Sequence, residues 1–357
     1  MKQTDKPTIL IGSWQVNGIY QLIVSELEKA GFAVVDISYD HTFPPFRYPS
    51  SAARAAVFFK KNILRQKNAK QRLVEDFRGQ HFDNICRRIR GQIAGHPHFD
   101  HTLILGGQIY PPDLIGEIKA KTRGLTVAYQ SDALSRFPDI WQTFFLYDRV
   151  YVFDPADIAA YSGKVYPATN FYFPPEQTAA DTVSDVYFLG SHLPELQRHE
   201  AVAAFARYAE ASNLKLDFTI RYLSESDFRR HDTLYPKNVR ATMQSLTFAE
   251  NISREQNSRV LIDFKPPIHS GLSFRPFEAL GYRKKLITTN PDTAKYDFYH
   301  PDNIFIWDGK TFDGIDEFLA TPYRDTDPAI REKYSFANWV RYILQIAPHL
   351  PITLPAS

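Results

Sequence analysis

The residues best suited to chemistry fall in one stretch, Ser270-Gly271-Leu272-Ser273-Phe274-Arg275-Pro276-Phe277-Glu278. A polar turn with glycine leads into a helix-like run that carries one cation and one carboxylate. The first turn of a helix leaves backbone N–H groups unpaired at the positive end of its dipole, which suits a phosphate. Ser270, Gly271, Leu272 and Ser273 are the candidate N–H cradle, with Arg275 as a fixed cation. Glu278 stands among Phe277, Ala279 and Leu280, and a carboxylate in apolar company needs partners. Neutral sugar hydroxyls would serve. These are the parts of a nucleotide-sugar site. A plainly capped helix with Arg275 and Glu278 on its polar face uses the same letters.

Other candidates are shorter. Gly190 and Ser191 follow a strand-like run and precede a helix near Pro194, a second candidate phosphate loop, with Arg198 and Arg221 as phosphate partners or ordinary surface residues. Asp132, in Gln130-Ser131-Asp132-Ala133, leaves a strand end. It reads as an acceptor-side base, an acceptor hydroxyl binder or an N-cap. Gly12, Ser13 and Trp14 follow the first strand, where Trp14 could stack on a sugar ring or simply pack. His96-Pro97-His98-Phe99-Asp100-His101 holds four ligand types, but its Pro and its loop setting fit no zinc spacing, so no metal is expected. Asp325-Thr326-Asp327 matches a bare Asp-x-Asp pattern in a Pro-flanked late loop rather than after a strand. The chain has no Gly-x-Gly-x-x-Gly fingerprint and no P-loop.

The elements that must carry these residues alternate. An apolar run at 8–13, a helical period over 17–30 closed by Gly31, and a run at 32–37 make a βαβ unit, hence a parallel sheet. The basic stretch that follows reads as two helices broken near Gly79. Strands follow at 102–105, 126–129 and 149–153, with helices at 111–121 and 155–161. Pro167, Pro174, Pro175 and the polar run 177–182 mark a connection. A second series then starts with strand 185–189, helix 194–212, and strands 215–220, 259–264 and 285–289. The expected fold is α/β, two Rossmann-like domains facing a cleft. The first spans 1–178 on the acceptor side, and the second, 179–357, binds the nucleotide sugar.

The run Ser270 to Asn290 also resembles the donor-site signature of bacterial GT-B glycosyltransferases. The likeness is to the lipopolysaccharide and capsule biosynthesis type (glycosyltransferase group 1-like), with the CgeB-like group a wider relation. Val150-Tyr151-Val152-Phe153-Asp154-Pro155-Ala156-Asp157, Tyr187-Phe188-Leu189-Gly190-Ser191 and Tyr296-Asp297-Phe298-Tyr299 support it, over about 103–339. The resemblance implies a GT-B fold whose final helix, near 336–346, packs back on the first half. It also implies a nucleotide-sugar donor, a glycan or lipid-linked glycan acceptor, and no cofactor. Retaining relatives carry a Glu eight positions before the Glu278 equivalent. This chain has Ser270 there, which tilts the expectation toward inversion with Asp132 as base. A sugar-nucleotide epimerase or hydrolase, or a non-catalytic carbohydrate- or membrane-binding relative, shares the architecture.

Composition sets the remaining bounds. The 357 residues suffice for two domains, and the formal charge of +2 hides an asymmetry. From Arg47 to Arg90 twelve Lys/Arg face only Glu75, Asp76 and Asp83, a local +9 that suits an anionic membrane surface or a solvated face. No nucleic-acid reader motif accompanies it. The 27 Phe and 20 Tyr suit a core, sugar rings or a membrane interface. The single Cys86 excludes an internal disulfide, the start lacks a signal-like apolar segment, and no apolar run is long enough to span a bilayer. A cytoplasmic protein, peripheral on the inner membrane, is the expectation.

Overall fold

The computed structural model describes residues 6–16, 18–175 and 182–355. The first sheet holds β1 Thr8–Gly12, β2 Ala33–Asp36, β3 His101–Leu105, β4 Thr126–Gln130, β5 Arg149–Val152 and β6 Tyr166–Pro167. All its ladders are parallel, in the order β2-β1-β3-β4-β5-β6. The second holds β7 Ser184–Ser191, β8 Leu216–Arg221, β9 Val239–Thr242, β10 Ser258–Asp263, β11 Lys285–Thr288 and β12 Ile304–Ile306. It too is all parallel, in the order β12-β11-β10-β7-β8-β9. These are two Rossmann-like units facing a cleft, the GT-B arrangement. The boundary expected at 178/179 lies outside the described residues.

Parallel strands are covered on both faces, so they read as apolar runs rather than alternations. Ile9, Leu10 and Ile11 in β1 and Leu261 and Ile262 in β10 are wholly buried. Helix α1, Ile19–Lys29, covers β1 and β2 through Ile23 and Leu27 and stops before Gly31, whose φ of 96° is the left-handed geometry that ends a helix.

The basic stretch differs from its expected form. It makes α2, Ser51–Asn62, and α3, Ala69–Ala94, and Gly79 lies inside α3. A lone helical glycine costs only about 1 kcal/mol, too little to stop a 26-residue helix. The break falls earlier, in the turn where Arg65 takes a φ of 52°. The next crossover is α4, Pro112–Lys121. The short strands β6, β9 and β12 escape sequence reading because two to four residues carry no period.

The two units share one core. Trp339, in helix Phe336–Leu344, is fully buried, stands edge-on to Tyr129, and donates its indole N–H to the Thr169 carbonyl at 2.8 Å. Tyr342 of the same helix donates to the Pro167 carbonyl at 2.9 Å.

Candidate functional site

In open parallel sheets ligands sit beyond the carboxyl ends of strands where the strand order reverses. In the second sheet that point lies between β7 and β10. A pocket of about 290 Å³ opens there, lined by Phe188 and Leu189 from β7, Ile262 and Asp263 from β10, and Arg198, Ser273, Phe274, Arg275 and Glu278. Asp263 organises its floor: its carboxylate accepts from the Ser273 hydroxyl at 2.8 Å and from the Thr288 hydroxyl at 3.1 Å. Ser273 in turn accepts the Arg275 N–H at 3.2 Å and caps helix Phe274–Gly281. The helix therefore begins at Phe274, and Pro276 removes one donor from its first turn. Gly271 and Leu272 precede the helix, and Glu278 lies one turn in.

The Ser270–Leu272 loop docks the two units against each other. The Ser270 N–H donates to Asp154 at 3.0 Å, and Asn170 donates its side-chain amide to the Leu272 carbonyl at 2.9 Å. A Cβ on Gly271 would fall 2.5 Å from the Phe153 ring and 2.6 Å from its carbonyl oxygen, so glycine here answers a close domain contact. His269 lies edge-on to Phe153, ring centroids 5.1 Å apart.

Arg275 turns inward. Its guanidinium pairs closely with Glu255, stands 3.5 Å from the Glu278 carboxylate, and lies over the Tyr187 ring. Glu255 is fully buried and takes a further bond from the Asn251 amide at 2.5 Å. Burial raises the pKa of both carboxyls, and the charge of Glu255 raises Glu278 further. One guanidinium lies between the two buried carboxyls, and the Glu278 carboxyl lines the pocket. Sequence reading missed Glu255, which sits 20 residues away from Arg275 on another helix.

Gly190 and Ser191 end β7 beside Arg198. A Cβ on Gly190 would meet an Arg198 guanidinium nitrogen at 2.7 Å, so the glycine lets this side chain lie across the strand end. Arg198 donates to the Ser191 carbonyl at 2.8 Å and stacks over Phe188. Among the described residues it has no carboxylate partner within ion-pair distance, and burial lowers its pKa. Arg221 lies outside the pocket lining, with its Nε buried and unbonded among the described residues. Its carbonyl accepts the His192 N–H at 2.7 Å.

In the first sheet the order reverses between β1 and β3, and a second cleft of about 220 Å³ lies there. Ser13, Trp14, Gly106, Gln108, Gln130 and Asp132 line it, with Phe274 from the other unit. Phe274 therefore separates the two pockets. Trp14 stacks on His41 and donates its indole N–H to the Tyr39 hydroxyl at 3.1 Å. The Ser13 hydroxyl donates to the Trp14 carbonyl at 3.0 Å. Gly12 stands behind the cleft, where a Cβ would strike the Tyr110 ring at 2.6 Å. Asp132 accepts the Ala133 N–H at 2.9 Å, ion-pairs with Arg136 and faces the cleft, and the turn Leu134–Arg136 that follows has no side-chain cap. Behind it, burial lifts the Asp157 carboxyl to about 6 even though it accepts the Leu134 N–H.

The His96–His101 run is spent on structure: Phe99 is core, and Asp100 accepts the Thr8 N–H at 2.7 Å. Among the described residues no group of three or more His, Cys, Asp or Glu is placed to hold a metal.

No protein-family model matches the chain, and no curated protein matches it. Among solved structures it is similar to a Listeria monocytogenes protein assigned as a UDP-N-acetylglucosamine 2-epimerase. That match has a TM-score of 0.49 and 9% identity, covering 98% of this chain and 99% of the other. It is also similar to AviGT4, a glycosyltransferase involved in avilamycin A biosynthesis (TM-score 0.48, 10% identity, 88% of each chain). A third is an E. coli trehalose-6-phosphate protein bound with UDP-2-fluoro glucose (TM-score 0.48, 12% identity, 88% of this chain and 90% of the other). Identities this low say nothing about chemistry.

Proposed function

We propose that the protein transfers a sugar from a nucleotide-sugar donor to a hydroxyl of a glycan acceptor. The observation that carries this reading is the pair of strand-order reversals, each opening a pocket, with Phe274 between them. The second unit, taken as 179–357, holds the donor. The diphosphate lies against Arg198, the Gly190-Ser191 turn and the helix start capped by Ser273, where a cation without a counter-carboxylate offsets the charge that grows on the leaving group. Arg275 is already neutralised by Glu255, so Arg198 is the phosphate cation of choice. Glu278, one turn in, bonds a ribose or sugar hydroxyl.

The first unit, 1–178, holds the acceptor, with Ser13, Trp14 and Asp132 around the hydroxyl. Asp132 takes the hydroxyl proton as the oxygen bonds to the anomeric carbon. The bond from that carbon to the diphosphate oxygen breaks, and the nucleoside diphosphate leaves with the electron pair. No carboxylate side chain belongs to position 270, which favours single-step inversion. The signature from Ser270 to Asn290 supports a lipopolysaccharide or capsule acceptor and a cytoplasmic site of action.

A thermal-shift screen against UDP-, GDP-, CMP- and ADP-sugars, followed by product analysis with and without acceptor glycans, tests the reading. Binding to none of the donors removes it. Epimerised or free sugar without acceptor points instead to an epimerase or hydrolase, and binding without any turnover to a non-catalytic relative.

A further inference from the structure

The basic hairpin stands apart from the core. Helix α3 must return the chain from the carboxyl end of β2 to the start of β3, so it runs opposite to the strands and its first residues lie on the cleft side. Its buried contacts are Cys86, Ile89 and Ile93, all in the second half. The first half, residues 69–80, is about 18 Å of helix with no buried residue, and α2 packs against α3. At the tip, where α2 ends, four large apolar side chains face solvent: Phe58, Phe59, Ile63 and Leu64 are 52–68% exposed. Among the described residues none of the cations from Arg54 to Arg72 forms an ion pair. No helix of the described residues is long and apolar enough to cross a membrane. An exposed apolar tip ringed by unpaired cations has the chemistry of a segment that lies in the headgroup layer of an anionic bilayer.

We propose that the α2–α3 hairpin is an arm that seats the protein on an anionic bilayer, with Phe58, Phe59, Ile63 and Leu64 at the acyl boundary and the cations among the headgroups. Two hollows follow α3 inward from this tip. The first lies between α2 and α3 and ends at Arg78. The next is lined by His81, Ile85 and Arg88 of α3 with Gln15 and Tyr39, and it is bridged to the first by Arg78 lying over Phe43. Gln15 adjoins Trp14 of the acceptor cleft. The arm thus holds the cleft mouth toward the surface it binds, where an acceptor carried on a lipid would arrive. That last step rests on the proposed transfer. The docking itself does not.

Co-sedimentation of the full chain with vesicles of phosphatidylcholine, alone or mixed with phosphatidylglycerol, tests the arm. Binding to the mixed vesicles, reduced by salt, is expected. Serine at all four tip positions (Phe58→Ser, Phe59→Ser, Ile63→Ser, Leu64→Ser) should weaken it at least about tenfold with donor binding unchanged. Lys60→Glu with Lys61→Glu should flatten the salt dependence. Ile63→Trp, which needs no loss of function, should gain a blue-shifted emission on mixed vesicles alone. Four results would each overturn the proposal: no vesicle binding, full binding by the serine variant, a dimer in solution that the serine variant dissolves, or binding to nucleic acid in place of vesicles. Absence of donor binding with vesicle binding intact would remove the transfer reading and leave the arm standing.

Discussion

The Asp154 carboxylate, just past the end of β5, accepts the backbone N–H of Ser270 from the other unit at 3.0 Å, while its second oxygen caps helix Pro155–Ala160 through the Ala156 N–H. One buried side chain thereby ties the first sheet to the loop that precedes helix Phe274–Gly281. Position 270 is a serine, and the carboxylate that reaches its backbone comes from the other unit.

Asp154→Ala removes both bonds. A loss of roughly 2 kcal/mol in unfolding free energy is expected from a lost cap and an unpaired, half-buried N–H. Urea titration measures it. Stability equal to the parent would show that the inter-unit bond contributes nothing.

The carboxyl pair predicts an asymmetry. Glu278→Gln replaces a buried carboxyl of raised pKa with a neutral group of the same shape and should keep the fold while weakening donor binding. Glu255→Gln strips Arg275 of its counter-charge in a buried site and should cost about 3–5 kcal/mol. The pH dependence follows from the direction of the shift. Glu278 binds its proton more tightly folded than unfolded, so its contribution is complete below the unfolded carboxyl range of roughly 4.3 and is lost as pH rises through the folded value. Glu278→Gln should flatten that decline in a stability profile, and an unaltered slope would place the proton elsewhere.

Arg198→Ala should weaken donor and nucleoside diphosphate binding by about 10- to 100-fold, the range of a lost charge-assisted bond of 1.5–3 kcal/mol. Arg221→Ala, outside the pocket, should change it little. Isothermal titration with both variants decides, and a reversed ranking would move the phosphate site toward β8.

Asp132→Asn should abolish transfer while leaving donor affinity intact. Proton NMR of the first product reads the anomeric coupling against that of the donor. Retained configuration, or full activity in the variant, would leave Asp132 only its structural bonds to Ala133 and Arg136.

Much of the architecture is legible in the chain. The apolar runs at β1, β10 and β11 and the helical period before Gly31 are local patterns that can be read from a few consecutive residues, whereas Ser273, read as part of an N–H cradle, is the cap of a helix that starts at Phe274. The α2–α3 break was misread because Gly79 marks a small energetic cost, while the actual turn depends on one left-handed residue, Arg65. Asp132 was legible as a cleft residue because it follows a strand end. Its pairing with Arg136 is also local, four residues on.

The chemistry of the second unit's pocket was decided elsewhere. Sequence alone determined that a helix with Arg275 and Glu278 would follow a strand, because periodicity and capping are short-range. It could not show that Arg275 pairs with Glu255, that burial and the Glu255 charge raise the pKa of Glu278, or that Gly271 is held to glycine by Phe153. Those partners lie 20, 23 and 118 positions away, and only the crossing of strands and the docking of two domains brings them within a few ångströms. Charge state and steric fit depend on the neighbours in space, which the tertiary fold selects.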